Sequence, residues 1–132
     1  MNSAIERLLT LRVRDVMTPL PVHLHPDQTI DEATQVLQKN DISGAPVVDG
    51  DGVCVGVMST ADLAGGAYCT TVSELMSPSP IALAAETSMM DAARSMVEKH
   101  IHRVVVIDNE GHPTGVVTSL DVVASLVNVM NE

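Results

Sequence analysis

A short pattern of residues with chemical potential occurs twice in the sequence. It consists of a glycine, two apolar residues, a hydroxyl residue, two further residues and an aspartate, and it covers Gly56 to Asp62 and Gly115 to Asp121. In each copy a strand is expected to end, and a helix to begin, at the hydroxyl residue, Ser59 or Thr118. The free N–H groups of a helix N-terminus attract anions, and the hydroxyl can add a hydrogen bond to a phosphate. The pattern is therefore compatible with a phosphorylated ligand.

The aspartate of each copy allows two interpretations. A carboxylate accepts two hydrogen bonds, so Asp62 or Asp121 could hold both hydroxyls of a ribose cis-diol. It would then disfavour a deoxyribose, because a buried lone pair would stay unpaired. The alternative is helix capping, in which Ser59 or Thr118 caps the helix and the aspartate lies in its first turn, where the helix dipole favours a negative charge. One copy alone does not decide between the two.

The pattern belongs to a longer internal repeat. When the chain is shifted by 59 positions, the segment Asp15 to Pro19 aligns with Glu74 to Pro78, and Asp62 aligns with Asp121, without a gap. The matches fall at glycine, proline, aspartate and core positions, where the demands of backbone and packing are strict. Repetition of this kind indicates two structural units of the same fold.

Each copy predicts the same order of elements: strand, helix, strand, strand and helix. A turn is expected at Thr18-Pro19 and at Ser77-Pro78, ahead of the first strand. Apolar residues at helical spacing follow from Ile30 to Leu37 and from Met89 to Val97, and a second helix follows the hydroxyl residue of each pattern. The predicted strands are Val22 to Leu24, Ala45 to Val48 and Val53 to Met58 in the first copy, and Ile81 to Leu83, Val104 to Ile107 and Thr114 to Val117 in the second.

These elements predict an α+β fold of two β-α-β-β-α repeats. A helix is also expected near Ser3 to Leu11, where Ser3 and Glu6 match a capping box and an apolar stripe could pack on the repeats or on a second chain. A unit of about 55 residues has a marginal core, and the link Ala64 to Ala67 is short. We therefore expect the two sheets to pack face to face with pseudo-twofold symmetry. The predicted domains are residues 1–12 (N-terminal helix), 13–67 (first repeat) and 68–127 (second repeat).

Composition excludes several classes of function. The net charge of −10 argues against nucleic acid as a partner, which would require a basic face. The apolar runs are too short for a membrane span and no signal peptide is recognised, so a cytoplasmic protein is expected. With one Tyr, no Trp and no Phe, the chain lacks an aromatic platform for stacking bases. Its two cysteines, Cys54 and Cys69, are expected to be reduced thiols.

The sequence resembles a known family. The duplicated start Asp15 to Pro19, the segment Ile42 to Asp49, and the repeated ending with Asp62 and Asp121 are similar to CBS domains over nearly the whole chain, about Val13 to Val127. The resemblance implies a Bateman module, a CBS pair whose cleft between repeats binds AMP, ADP, ATP or S-adenosylmethionine. It also implies a homodimer that forms a four-repeat disc, and a separate protein that the module regulates.

The resemblance assigns roles to particular residues. It implies that Asp62 and Asp121 hold ribose, and that Ser59 and Thr118 lie near ribose or phosphate. Weaker candidates are found in the segments that match the family; they are Thr18, Pro19, Ala45 and Pro46.

A further match is the segment Lys99 to Asp108, which is similar to the His-Arg segment of the AMP-activated protein kinase gamma subunit. By that analogy, His102 and Arg103 contact phosphates of the nucleotide whose ribose Asp62 holds. The alternative is that Arg103 is a solvated charge and His102 a packing residue. The counterparts in the first repeat, Ser43 and Gly44, cannot neutralise a phosphate. We therefore expect unequal sites, with a phosphorylated nucleotide at Asp62 and a less charged adenosine ligand, or none, at Asp121.

Three other functions are weighed against this one. An enzyme is not expected, because no nucleophile in a recognised setting, paired carboxylates or phosphate loop is found. The pairs His23/His25 and His100/His102 could each share one face of a strand and bind zinc, but nothing completes a tetrahedral set, so no metal and no required cofactor are predicted. A ligand-independent dimerisation or interaction module remains the third alternative.

Overall fold

The computed structural model of the chain describes residues 3–19, 22–64, 71–78 and 80–131. The chain divides into two compact units, each with its own sheet and hydrophobic core. Unit 1 comprises Met1–Pro19, Ile81–Asn109 and Thr114–Glu132, and unit 2 comprises Leu20–Pro80 and Glu110–Pro113. Most of the predicted link Ala64 to Ala67, and Cys69, lie outside the described residues.

Helices and strands alternate as the repeat predicts, and the α+β class is confirmed. The helices of the described residues are α1 (Ser3–Thr10), α2 (Val13–Val16), α3 (Ile30–Lys39), α4 (Thr60–Ala64), α5 (Val72–Leu75), α6 (Met89–Lys99) and α7 (Ser119–Met130). The strands are β1 (Thr18–Pro19), β2 (Gly44–Val48), β3 (Cys54–Ser59), β4 (Ser77–Pro78), β5 (Ala82–Ala84), β6 (Arg103–Ile107) and β7 (Pro113–Thr118). The short helices α2 and α5 were not expected, because a single turn has no apolar periodicity to detect.

The prediction of turns at Thr18-Pro19 and Ser77-Pro78 is wrong, because both dipeptides form short strands. β1 pairs antiparallel with β7, with Thr18 opposite Val116, and β4 pairs antiparallel with β3, with Ser77 opposite Val57. The sheet of unit 1 has the order β1-β7-β6-β5 and that of unit 2 the order β2-β3-β4. Proline is tolerated in these strands because both lie at a sheet edge. The segment that opens each sequence repeat therefore completes the sheet of the other repeat.

The glycine of each repeated pattern is required by this pairing. A Cβ at Gly115 would lie 2.9 Å from the backbone oxygen of Thr18 and 3.0 Å from Met17 Sδ. A Cβ at Gly56 would lie 3.1 Å from the backbone oxygen of Ser77 and 2.6 Å from a methionine sulfur. Only a residue without a side chain lets the edge strand approach so closely.

A proline explains the one predicted strand that does not form. In unit 1 the Val105 N–H donates to the Ile81 oxygen at 3.0 Å, and β5 runs parallel to β6. The counterpart of Val105 in unit 2 is Pro46, which has no N–H to donate. The predicted strand Val22 to Leu24 is accordingly reduced to an isolated bridge between Leu24 and Val47.

Each core lies between one sheet and its helices. In unit 2 the fully buried members are Leu24, Ala33, Leu37, Ala45, Val47, Met58 and Val72. In unit 1 the core consists of Val13, Ala92, Met96, Val104, Val106 and Val117. Helix α1 packs against α6 and α7 with Ala4 buried, and Arg7 Nη2 donates to the Val129 oxygen at 3.3 Å. The helix therefore lies on unit 1, but its predicted apolar stripe is not covered there, because Ile5 and Leu9 are 48% and 53% exposed. No helix among the described residues has the length and apolarity needed to cross a bilayer.

Candidate functional site

The second copy of the repeated pattern lies at the junction of β7 and α7 in unit 1. The Thr118 N–H donates to Asp121 Oδ2 at 2.8 Å, and the Asp121 N–H donates to Thr118 Oγ1 at 3.2 Å. These reciprocal bonds form a capping box and satisfy two donors that a helix N-terminus otherwise leaves unpaired. Both side chains are half-buried.

The first copy has the same geometry at the junction of β3 and α4 in unit 2. The Ser59 N–H and Ser59 Oγ donate to Asp62 Oδ2 at 2.9 and 3.0 Å. The Asp62 N–H lies 3.3 Å from Ser59 Oγ, as its counterpart does in unit 1. The capping interpretation is thus confirmed in both units.

Capping nevertheless leaves half of each carboxylate open. The hydrogen bonds that Asp62 and Asp121 accept all end on Oδ2, and no donor among the described residues reaches Oδ1. One backbone N–H at Asp121, and one backbone N–H and one hydroxyl at Asp62, hold the carboxylate in one orientation, while Oδ1 stays available. Capping and ligand binding are therefore compatible at these two aspartates.

His102 and Arg103 lie next to the capped end of α7, within unit 1. The Ser119 N–H donates to the His102 oxygen at 2.9 Å, so this segment is held beside Thr118. His102 is exposed and Arg103, the first residue of β6, is half-buried. The structure therefore places this pair in the same unit as Asp121.

Ser43 and Gly44 occupy the equivalent place in unit 2. The Thr60 N–H donates to the Ser43 oxygen at 2.9 Å, and Gly44 lies opposite Ser59 in the sheet. The same backbone arrangement thus presents an imidazole and a guanidinium in unit 1, but a hydroxyl and a glycine in unit 2. The residues at these equivalent backbone positions therefore differ in charge, and the inequality of the two ligand sites stays a prediction.

The four weaker candidate residues lie in different units, two in each. Thr18 and Pro19 form β1 in unit 1, opposite Val116 and Gly115 of the pattern's own strand, and both are exposed. Sequence reasoning missed this placement, because it assigned them to the first repeat. In unit 2, Ala45 and Pro46 are both buried in β2.

The histidine pairs and the cysteine considered in the sequence analysis form no common site among the described residues. His23 and His25 pack edge to face with ring centroids 5.2 Å apart, and His100 ends α6 in a left-handed conformation rather than on a strand. Among the described residues there is no cluster of three or more metal-ligating side chains. Cys54 is a free thiol, and burial raises its pKa above the ordinary value, an effect that a backbone hydrogen bond with Gly56 partly offsets.

Comparison with known proteins identifies the fold family. A family model described as the CBS domain matches residues 13–66 and 72–128. The chain belongs to the CBS-domain family. The two matches correspond to the two sequence repeats, so the chain is a tandem CBS pair.

The relatives of this CBS pair include a CBS domain-containing protein and an enzyme. It is 28% identical to the chloroplastic CBS domain-containing protein CBSX2 of Arabidopsis thaliana, an alignment that covers 91% of the chain and 65% of CBSX2. It is 33% identical to the inosine-5'-monophosphate dehydrogenase of Aquifex aeolicus, over 78% of the chain and 22% of that enzyme. The CBS pair therefore spans less than two thirds of the length of these two relatives.

Two solved structures are similar to the CBS pair over nine tenths of its length. One is CBSX2 in complex with AMP, with a TM-score of 0.80 and 30% identity over 91% of this chain and 98% of that one. The other is the CBS domain pair of protein MJ0100 in complex with 5'-methylthioadenosine and S-adenosyl-L-methionine, with a TM-score of 0.84 and 27% identity over 90% and 98% of the two chains.

Proposed function

We propose that this CBS pair is a regulatory module that binds an adenosine nucleotide and transmits the bound state to a partner protein. Support comes from similar CBS pairs, which were solved with AMP in one case and with 5'-methylthioadenosine and S-adenosylmethionine in another. All three ligands contain adenosine, so the shared chemistry that a binding site must recognise is the adenine base and the ribose.

The observation that carries the proposal is the repeated capping box with a half-open carboxylate. In both units the aspartate is oriented by its own helix N-terminus and retains an oxygen without a donor among the described residues. A fixed carboxylate loses little conformational entropy when it accepts the two hydroxyls of a ribose, which favours binding. We assign this role to Asp62 and Asp121, with Ser59 and Thr118 beside the ribose or phosphate.

The His-Arg segment supports a phosphate-binding role. His102 and Arg103 offer the donors that a phosphate requires, and arginine presents a planar fork of them. On the family resemblance we assign His102 and Arg103 to the ligand whose ribose Asp62 holds. The ligand of Asp121 is then a less charged adenosine compound, or that site is empty.

A regulatory role is favoured over a catalytic one by the arrangement of the pattern residues. The hydroxyls of Ser59 and Thr118 are engaged with the aspartate N–H of their own turn, as helix caps. Activation of a hydroxyl nucleophile requires a general base within hydrogen-bond reach, most often histidine. The caps instead provide rigid polar groups suited to recognition.

The proposal is tested by a melting-temperature screen with AMP, ADP, ATP and S-adenosylmethionine. A ligand at 100 times its Kd should stabilise the protein by about 2.7 kcal/mol. Asp62→Asn and Asp121→Asn keep an oxygen for the cap while they weaken ribose binding. Asp15→Asn is a matched control, because Asp15 Oδ2 accepts from the Arg12 N–H at 2.8 Å, the same backbone bond that the other two aspartates accept. If no ligand shifts the melting temperature, or if Asp62→Asn and Asp121→Asn both respond as the parent and the control do, the proposal is wrong.

The assignment of the phosphate site needs a second comparison. If Arg103 and Asp62 serve one ligand, Arg103→Gln and Asp62→Asn should abolish the same AMP-induced shift, and Asp121→Asn should leave it. Arg94→Gln is the matched control, since Arg94 is an exposed arginine that pairs with Asp91 at 2.7 Å. Tight AMP binding by Arg103→Gln would contradict the assignment.

A further inference from the structure

Two methionines occupy equivalent positions of the repeat, each directly before an edge strand. Met17 precedes β1 and Met76 precedes β4, and both side chains are partly buried. Each of these edge strands pairs with its sheet through two residues only. So short a pairing has little stability of its own. The packing of the edge methionines, Met17 and Met76, therefore contributes to holding each strand in place.

The sulfur atom of each edge methionine fills the place of a side chain that the repeated pattern lacks. A Cβ at Gly115 would lie 3.0 Å from Met17 Sδ, and a Cβ at Gly56 would lie 2.6 Å from Met76 Sδ. In both units the thioether thus lies directly over the glycine of the pattern. The contact is made within each unit, and it recurs because the two copies of the repeat share it.

Both sulfur atoms lie beside a hydrophobic core. Alternate residues of a strand share one face of the sheet, and the fully buried residues two positions after the glycines are Val117 in unit 1 and Met58 in unit 2. The edge methionines pack against the same two cores to which Val117 and Met58 belong. Each thioether therefore closes an apolar gap over a glycine while it stays partly exposed to solvent.

From this arrangement we propose that Met17 and Met76 are sites of reversible oxidation, at which a peroxide loosens the two edge strands. Hydrogen peroxide transfers one oxygen atom to a lone pair of the sulfur. The O–O bond breaks, an S–O bond forms and water leaves, so that the thioether is oxidised to a sulfoxide and the peroxide is reduced. Methionine sulfoxide reductases reverse the step with electrons from a thiol reductant. The proposal does not depend on the adenosine ligand.

A sulfoxide does not suit the place that each sulfur occupies. Its oxygen is a hydrogen-bond acceptor, and a polar atom buried beside an apolar core without a donor is costly. If the side chain turns outward to hydrate the oxygen, the space over the glycine is left empty and the packing there is lost. Both outcomes weaken the contact of β1 with β7 and of β4 with β3, the strands that carry the repeated pattern.

Accessibility distinguishes the edge methionines from the other methionines that the structure describes. Three of those are at most 5% exposed, so that an oxidant reaches them only when the protein opens; they are Met58, Met89 and Met96. Met90 and Met130 are 39% and 61% exposed on helices, where a sulfoxide remains hydrated. Among the described methionines, the edge pair alone combines access for an oxidant with a contact that holds a strand.

Peroxide treatment of the full chain, followed by peptide mass spectrometry and hydrogen exchange, tests the proposal. A background of Cys54→Ser with Cys69→Ser removes the thiols, which also react with peroxide. Met90 and Met130 should be oxidised first, the edge methionines next and the three buried methionines last. Once the edge methionines are oxidised, the backbone amides of β7 and β3 should exchange about tenfold faster, and methionine sulfoxide reductases should restore the original rates. Edge methionines that are oxidised no sooner than the buried ones, or exchange that their oxidation leaves unchanged or that reduction does not restore, would overturn the proposal.

Leucine variants in the same background separate the edge methionines from the exposed ones. Leucine is close to methionine in volume and has no sulfur to oxidise. The combined variant Met17→Leu with Met76→Leu should therefore keep its exchange rates and melting temperature under peroxide. Met90→Leu with Met130→Leu is the matched control, since it also removes two accessible sulfur atoms but should be destabilised by peroxide as the parent is.

The single variants assign the effect to each unit. Met17→Leu should protect β7 and leave β3 sensitive to peroxide, and Met76→Leu should do the reverse, because the two sulfur atoms lie in different units. Circular dichroism before treatment establishes that each variant is folded, and the measurements on the chain with all its methionines stand without any of them. If peroxide destabilises the combined Met17→Leu, Met76→Leu variant as much as the control, the edge methionines are not the sites through which oxidation acts.

Discussion

Replacing Gly115 with alanine should loosen the edge of the unit 1 sheet. The added Cβ would lie 2.9 Å from the Thr18 oxygen, well inside ordinary contact distance, and 3.0 Å from Met17 Sδ. The methionine can turn aside, but the Thr18 oxygen belongs to the backbone of β1 and moves only if β1 shifts away from β7. The substitution therefore acts on the pairing between the segment that opens the first repeat and the sheet of the second.

The change in the free energy of unfolding caused by Gly115→Ala is the sum of two opposing contributions. Overpacking of a tight site costs about 1–3 kcal/mol. Alanine also restricts the unfolded chain, which stabilises the folded state by about 0.4–1 kcal/mol where the backbone conformation suits it. The net destabilisation should be about 1–2 kcal/mol, and urea denaturation at constant m-value measures it directly.

Gly50 provides the matched control for this experiment. A Cβ at Gly50 meets nothing within 4 Å and its φ is not in the left-handed region. Gly50→Ala should leave stability unchanged or raise it by up to about 1 kcal/mol. Gly56→Ala should behave like Gly115→Ala, because its Cβ would lie 3.1 Å from the Ser77 oxygen. If Gly115→Ala is as stable as Gly50→Ala, the structural explanation of the repeated glycine is refuted.

Three further variants or measurements address separate parts of the structure. Val105→Pro removes the N–H that donates to the Ile81 oxygen and should cost about 1–3 kcal/mol in urea denaturation; unchanged stability would contradict the role of that bond. Thr118→Ala removes the acceptor of the Asp121 N–H and should cost about 1 kcal/mol, whereas Thr118→Ser should retain it; equal losses would argue against the cap. In a Cys69→Ser background, Cys54 should react with a thiol reagent more slowly than free cysteine at neutral pH, because burial raises its pKa. Since the folded protein then keeps a proton that the unfolded thiol loses, stability should fall slightly as pH rises above the ordinary thiol pKa, and Cys54→Ser should remove that dependence.

The internal repeat made most of the fold predictable from the sequence. Core helices α3 and α6 and strands β2, β3, β6 and β7 agree with the predictions to within two or three residues, because apolar spacing and turn residues occur in both copies. The shift of 59 positions recurs in the backbone, where Asp41 and His100 adopt positive φ at equivalent helix ends. Such agreement between copies gives two independent observations of each local preference.

The exchange of edge strands could not be predicted from the same alignment. Sliding one copy along the other shows that Thr18-Pro19 and Ser77-Pro78 are equivalent, but equivalence does not state which sheet either dipeptide joins. The pairing depends on the close approach to Gly115 and Gly56, which is a tertiary property. Likewise, the loss of the strand at Val22 to Leu24 depends on the missing N–H of a residue elsewhere in the chain, Pro46.

The sequence predicted which residues form the candidate site, but only part of how they are arranged. Capping and ribose binding were alternatives in the sequence, and the structure shows that the capping bonds of Asp62 and Asp121 use one carboxylate oxygen. Sequence spacing cannot distinguish the two oxygens of a carboxylate, so this compatibility required coordinates. The ligand that His102 and Arg103 contact stays a prediction.

The central claim is that a fixed carboxylate accepts hydrogen bonds from both hydroxyls of a ribose. Titration calorimetry with AMP and 2'-deoxy-AMP tests it most directly. The two ligands differ by one hydroxyl, and a half-buried carboxylate oxygen left without its donor costs about 1 kcal/mol, the low end of the penalty for a buried group. The account predicts that AMP binds to the CBS pair and that 2'-deoxy-AMP binds at least about fivefold more weakly. Equal affinities for the two nucleotides, or no binding of AMP, would contradict it.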